Sequence, residues 1–271
     1  VDWGRARARE GAGERTGRRA RAPLNAADVT VVILARDEAA RLPATLDALP
    51  PGVRVFVLDT GSRDATSALA RARGAQVQSR PWAGFVDARR HALGQVETPW
   101  TLMLDADEQL DAPLRAAILA ADGAPAGYRL RRVTRLCGAP VRAAGWSRER
   151  LVRLFRSDRA RLIPHEHGAD VHERWVVDGT LADLPGTIVH DSYPTLASYR
   201  AKFERYTSLE ANALRPSRGA LLREAAFFPL RLVWLFARDG GWSDGWRGAF
   251  VAWESARYRV VVRAKALRHG A

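Results

Sequence analysis

The stretch TLMLDADEQL, residues 101–110, sets Asp105, Asp107 and Glu108 directly behind an apolar run. Like charges this close repel, so the cluster needs a cation, a proton or open water to persist. Three chemistries fit a D-x-D at such a place. Asp105 and Asp107 can form a turn and a helix N-cap, where aspartate hydrogen-bonds free backbone N–H groups. They can hold Mg2+ or Mn2+ through hard oxygen ligands, with the metal gripping a nucleotide diphosphate. They can also be the nucleophile and acid of an aspartate phosphatase. That last chemistry wants its acid pair behind the first strand, with Thr or Val two residues on. Here the pair follows the fourth apolar run and continues into Glu108 and Gln109, which counts against it.

Other acids stand in equivalent places. VTVVILA (29–35) is a short β-branched run of the kind buried on both faces of a sheet, and Asp37 and Glu38 follow it. VRVFVLD (53–59) ends in Asp59 and the turn TGSRD. Between these runs, Leu42, Leu46 and Leu49 recur at helical spacing, and ATSALARARGA reads as a helix closed by Gly74. AQVQS is a third short strand, FVDARRHALGQV a third helix and WTLMLD (100–105) a fourth strand. Strand–helix alternation at these intervals predicts a parallel sheet with right-handed crossovers. Ligands of such sheets bind beyond the carboxyl ends of the strands, so separate loops would deliver these acids to one crevice.

Composition narrows the partners. The 271 residues carry a formal net charge of +13, which calls for an anionic partner: a phosphorylated substrate, nucleic acid or an acidic membrane surface. Nucleic acid is disfavoured, because the basic residues are scattered and no zinc-finger spacing or RNA-recognition aromatic signature is present. The single Cys137 excludes an internal disulfide framework and any cysteine-based zinc site, and fits a reducing cytosol. PHEHGADVHE packs His165, His167 and His172 near Glu166 and Glu173, but the spacing does not match H-E-x-x-H, so zinc is disfavoured here too. Residues 1–28 are Arg, Gly and Ala with almost nothing to bury; they read as a disordered basic tail without the apolar segment of a secretory signal. No stretch reaches the roughly 18–20 apolar residues that span a bilayer.

VVILARDEAARLPATLDAL, VFVLDTGSRDAT, WAGFVDARRHAL and WTLMLDADEQL, in this order and spacing, resemble glycosyltransferase family 2 with its GT-A nucleotide-sugar-binding fold. GWSRERLVRLFR, DVHERWVVDG and IVHDSYPTLASYRAKFERY resemble the bacterial branch that contains lipopolysaccharide-core β-glucosyltransferases. The resemblance covers residues 29 to about 262. It implies an α/β fold, a mostly parallel sheet flanked by helices, and an inverting transfer of glucose or another hexose. The donor would be a nucleotide sugar, UDP-linked, and the acceptor a lipopolysaccharide-core or other envelope glycan. Carried onto matching positions, Asp59 would accept a hydrogen bond from the base, and Asp37 and Glu38 would line the nucleoside pocket. Arg89 would face the nucleotide. Asp107 would bind Mg2+ or Mn2+, with Asp105 beside it facing ribose or metal. His190 would approach the diphosphate or metal from the far side, a hydrogen-bonded structural role being the alternative. Glu173 would be the general base, oriented by His172; the alternative is a surface acid paired to Arg174. His91 is expected to be structural. Asp37 and Arg90 depart from the pattern, since Asn is common at both places. A nucleotidyltransferase sharing the metal-binding acids is the alternative enzyme, and a non-catalytic sugar-nucleotide-binding relative the alternative binder. The first would want a Gly- and Arg-rich loop where this chain has ARDEAARL.

The domain division expected is a tail over 1–28, the GT-A domain over 29–200 and a helical, basic, Trp-rich extension over 201–271. From residue 215 onward eleven Lys/Arg face four Asp/Glu, interleaved with Trp234, Trp242, Trp246 and Trp253. That pattern fits helices lying on an anionic membrane; the alternative is a cap with solvated arginines. The expected placement is therefore cytoplasmic, peripheral on the inner face of the bacterial membrane.

Overall fold

The computed structural model describes residues 23–163 and 174–269. The first half follows the strand–helix alternation: β1 (Val29–Ala35), α1 (Leu42–Asp47), β2 (Arg54–Asp59), α2 (Thr66–Ala72), β3 (Gln76–Ser79), α3 (Phe85–Leu93) and β4 (Trp100–Asp105). These strands lie parallel in the order β3-β2-β1-β4. Alternate side chains part to opposite faces of the sheet, as the two-residue period of a strand requires. Val29, Val31 and Ile33 of β1 and Leu102 and Leu104 of β4 pack with Leu42, Ala70, Leu114 and Ile118 on one face. Val32 and Met103 pack with Ala88, Ala92, Phe155 and Trp175 on the other.

Beyond β4 come β5 (Glu108–Leu110), α4 (Ala112–Ala120), β6 (Gly127–Leu136), β7 (Ala139–Pro140), β8 (Glu149–Arg156), β9 (Ala160–Ile163), β10 (Arg174–Val177), β11 (Leu181–Asp183) and β12 (Ile188–Tyr193). The main sheet continues β4-β8-β6-β12-β5, and here it is mixed: β8 runs antiparallel to both β4 and β6, β6 and β12 are parallel, and β5 is antiparallel to β12. The parallel order of the first half thus gives way to mixed pairing here. GYRLRRVTRL, which alternates like an exposed strand, is β6 and lies inside the sheet with Tyr128, Leu130 and Leu136 buried. Its arginines read as solvent-facing because the acids that pair with them come from distant segments.

Residues 23–28, assigned by sequence to the tail, hold the Leu24 side chain against the core and a short 3-10 turn capped by Asn25. The C-terminal helices are α5 (Leu196–Asn212), α6 (Arg218–Ala226), α7 (Phe228–Ala237) and α8 (Trp246–His269). A capping box of Thr195 and Ser198 starts α5, which runs unbroken through residue 200, where the domain division was expected. Tyr199 and Phe203 of α5 and Val251 of α8 join Leu136, Val141 and Ala143 in one cluster, which ties the helices to the sheet.

The loop entering β12 passes against the N-terminus of α4. Gly186 there has φ +93°, and a Cβ added to it would lie 2.3 Å from the backbone nitrogen of Leu114. Gly186→Ala is expected to destabilise the fold by about 2 kcal/mol or more, through left-handed strain plus overpacking. Urea unfolding of the two chains measures this; an unchanged midpoint would place the loop elsewhere.

Candidate active site

Asp37, at the end of β1, has φ +55°, a conformation that Asn and Asp tolerate better than other side chains. That accounts for Asp where Asn is common: both fit the turn, and the Asp37 carboxylate accepts the Arg63 N–H at 2.7 Å. Glu38 follows, forked onto Arg41 through two bonds of 2.7 Å, with its own N–H donated to Thr66. Burial raises the Glu38 carboxyl above its ordinary value, and Arg41 opposes this only in part.

Asp59 at the end of β2 is buried and accepts N–H groups of Gly61 at 3.1 Å and Ser62 at 2.8 Å, as well as the Ser67 hydroxyl. Burial pushes its carboxyl up, but the bonds from Ser67 and Ser62 outweigh this and hold it below its ordinary value. The side chain that was expected to meet the base is turned into its own loop, and Thr60, not Asp59, reaches the cleft wall.

The D-x-D splits into two environments. The Asp105 carboxylate lies between Arg89 Nη2 at 2.8 Å and Arg153 Nη2 at 2.9 Å. These cations, Arg153 first, overcome the effect of burial and hold Asp105 well below the usual carboxylate range. With a guanidinium on each oxygen, Asp105 is the more firmly anchored of the two aspartates. Asp107 is buried and faces a different set: His190 Nε2 at 3.4 Å, and Lys202 Nζ and Arg41 Nη1 each at 3.7 Å. Burial raises its carboxyl, but His190 and Lys202 win and keep it ionised below its ordinary value.

Glu108, with no exposed surface, is the third acid and does not enter the cleft. It accepts the Asp105 N–H at 3.0 Å, Arg153 at 2.8 Å and Arg132 of β6 at 3.2 Å. Arg132 reaches on to Glu149 of β8 at 2.7 Å. The repulsion posed by the sequence is therefore relieved by arginines from α3, β6 and β8 around Asp105 and Glu108, and by a looser basic ring around Asp107.

These groups line a cleft of about 1110 Å³. That is room for a nucleotide-sized ligand with space beside it. Trp82, Phe85 and Arg89 line it together with Trp146, Tyr193, Lys202, Arg205 and Tyr206. His190 sits on β12 with Nδ1 3.4 Å from Thr134 Oγ1, so it bridges β6 and Asp107. His91 lies between Arg80 at 3.2 Å and Gln78 at 3.1 Å, a structural place as expected. Arg90 turns away to the Leu162 carbonyl at 3.0 Å, so its departure from the family pattern does not enter the cleft. Glu173 and His172, with His165, His167 and Glu166, lie outside the described residues.

Among the described residues, no group of three or more His, Cys, Asp or Glu side chains is arranged to hold a metal by itself. The donor set still suits one kind of cation. Mg2+ and Mn2+ at diphosphate sites take one or two protein ligands and fill the remaining positions with phosphate oxygens and water. Asp107, with His190 beside it, meets that requirement.

Sequence reasoning missed Lys202, Arg41 and Arg153. A signal existed for the first: Lys202 and Lys265 are the two lysines of a chain whose other basic side chains are arginine or histidine. Lys202 donates to Ser192 at 2.8 Å, and burial lowers its ammonium below its ordinary value.

Two outcomes follow from this geometry. Glu108→Ala strands Arg132 and Arg153 without their shared partner and is expected to cost roughly 3–5 kcal/mol of stability, read by chemical denaturation. Asp105 has a lowered folded pKa, so its pairing contributes stability that is fully present above its ordinary value of 3.8 and is lost as pH falls toward the depressed one. The stability gap between the parent chain and Asp105→Asn should therefore be widest near neutrality and shrink in acid; a gap constant with pH would contradict the ion pairs.

The chain is similar to known glycosyltransferases. Residues 30–126, which run from β1 past the D-x-D and α4, match the sequence profile of Glycosyl transferase family 2. The chain is 27% identical over 251 residues to the lipopolysaccharide core biosynthesis glycosyltransferase LpsC of Rhizobium meliloti, covering 88% of this chain and 91% of that protein. It is 39% identical over 84 residues to an uncharacterised glycosyltransferase of Mycobacterium bovis, covering 31% of this chain and 38% of that one. Among solved structures, glucosyl-3-phosphoglycerate synthase of Mycobacterium tuberculosis, in complex with Mn2+, UDP and glucosyl-3-phosphoglycerate, aligns over 71% of this chain and 82% of that one, with 18% identity and a TM-score of 0.42. The Glycosyl transferase family 2 profile thus spans β1 to α4, the likeness to LpsC runs nearly end to end, and the structure itself is an α/β protein with a C-terminal helical extension.

Proposed function

We propose that the chain is an inverting, metal-dependent hexosyltransferase that takes a UDP-linked sugar, glucose or a near relative, to a lipopolysaccharide-core or similar envelope glycan. The observation that carries this reading is Asp107: a buried, ionised carboxylate at the end of β4, facing His190, Lys202 and Arg41 across a cleft of about 1110 Å³. An anionic leaving group fits that basic ring, and the near end-to-end likeness to LpsC supports an envelope glycan as acceptor.

In this reading the nucleoside lies toward Asp37, Glu38, Trp82 and Arg89, on the loop that Asp59 braces. Asp105, fixed by Arg89 and Arg153, faces the ribose. Asp107 and His190 would hold Mg2+ or Mn2+, which would supply neutralisation of the diphosphate charge. Lys202 and Arg41 add fixed positive charge at the same place and favour departure of the diphosphate. An acceptor hydroxyl attacks the anomeric carbon, the bond from that carbon to the diphosphate oxygen breaks, and the electron pair leaves with UDP. The hydroxyl proton passes to Glu173, with His172 orienting it, and a single displacement inverts the anomeric centre. The acceptor is met at the inner face of the cytoplasmic membrane.

Calorimetric titration of UDP, UDP-glucose and GDP-mannose, each with and without Mn2+, tests the donor. UDP and UDP-glucose should bind only with metal, and Asp107→Ala should abolish that binding and turnover while the thermal unfolding curve stays that of a folded chain. Glu173→Gln should keep donor binding and lose turnover by about 100-fold or more. Full activity of Asp107→Ala would end the metal–diphosphate assignment.

A further inference from the structure

The helix α7, FPLRLVWLFA, is apolar except for Arg231, yet none of its ten residues is buried. Leu230, Val233 and Trp234 are 68%, 66% and 52% exposed and recur at the three- and four-residue spacing of one helix side. Leu222 on α6, Phe227 between the helices and Trp242 in the turn before α8 are exposed as well. Large exposed apolar surface on a folded chain marks an interaction site.

The charges around it have one sign. Over residues 215–246 the acids are Glu224, Asp239 and Asp244, and each is tied inward. Glu224 is buried and bonded to Arg231 at 2.6 Å. Asp239 is buried and paired with Arg148 at 2.8 Å and Arg238 at 3.0 Å. Asp244 accepts the N–H groups of Arg142 at 2.6 Å and Ala143 at 3.0 Å. Arg215, Arg218 and Arg223 remain exposed beside the apolar side chains, and Arg238 lies over the Trp234 ring at 4.0 Å. No helix among the described residues is long and apolar enough to cross a membrane.

From this surface we infer that α6, α7 and the Trp242 turn dock in the plane of an anionic lipid surface, with Leu230, Val233 and Trp234 entering the acyl boundary. Arg215, Arg218 and Arg223 then meet the phosphate headgroups. In-plane burial of an apolar helix side flanked by arginines is what such a surface takes up. The inference deepens the envelope-glycan reading by naming the face that meets the membrane. The same scaffold links that face to the cleft, since α6 and α7 pack on α8, and α8 and α5 carry the cleft residues Tyr258, Lys202, Arg205 and Tyr206.

The test is co-sedimentation of the full chain with vesicles of phosphatidylcholine alone or mixed with phosphatidylglycerol, at low and high salt. The parent chain should pellet with the anionic vesicles only, and less so at high salt. Leu230→Glu combined with Val233→Glu changes only exposed side chains and should lower the bound fraction by about tenfold or more; Arg218→Glu with Arg223→Glu should remove the salt-sensitive part. A parent chain left in the supernatant, or variants that pellet as the parent does, would overturn docking. So would a parent dimer that the apolar variant converts to monomer without any vesicle binding, because a second copy would then be the occupant. UDP binding, measured separately on the same variants, should not change, so failure of docking and failure of the donor assignment give different results.

Discussion

Glu108 is the group on which the site depends. A carboxylate with no exposed surface is tolerable only if its neighbours repay its desolvation, and here Arg153, Arg132 and the Asp105 N–H do so. Arg153 then spans Glu108 and Asp105, and Arg89 closes the other side of Asp105. The chain of contacts fastens β4, β5, β6, β8 and α3 at one point under the cleft. It also separates the two aspartates of the D-x-D, since Asp105 is held by two guanidinium groups while Asp107 meets a looser basic ring.

The electrostatics of the cleft follow from that division. Around Asp105 the arginines are close and bonded; around Asp107 the cations stand back at 3.4–3.7 Å. A carboxylate ringed at that distance is ionised and still has coordination capacity to offer. The basic groups on the ring would be unmatched charge once a divalent cation arrived alone, but a diphosphate arriving with it restores the balance. On the function proposed above, metal and nucleotide would therefore bind together rather than in sequence.

The C-terminal helices apply the opposite logic to apolar surface. Tyr199, Phe203 and Val251 bury themselves against Leu136 and Val141, so α5 and α8 are core. On the far side α7 keeps Leu230, Val233 and Trp234 in solvent while the nearby acids turn inward. A purely structural cap would be expected to distribute its apolar and charged side chains the other way round.

Local pattern determined much of this protein. Buried strands at 29–35 and 100–105, the strand ending at Asp59, the intervening helices, the acids at strand ends and the basic aromatic C-terminus are all readable from runs and spacing, because hydrophobic periodicity and turn chemistry act over a few residues. Long-range pairing decided the rest. Whether the arginines of GYRLRRVTRL meet water or acid depends on Glu108 and Glu149, which lie 24 and 17 residues from Arg132 in the chain. Asp59 and Asp107 look alike in sequence, each an acid behind an apolar run. One is consumed by its own loop and the other lines the cleft, since Ser67 and the Gly61 and Ser62 N–H groups close on the first, while β12 and α5 bring His190 and Lys202 to the second. Residue type and position along the chain fix which groups are available for chemistry; only the packing of distant segments fixes which of them have already been neutralised.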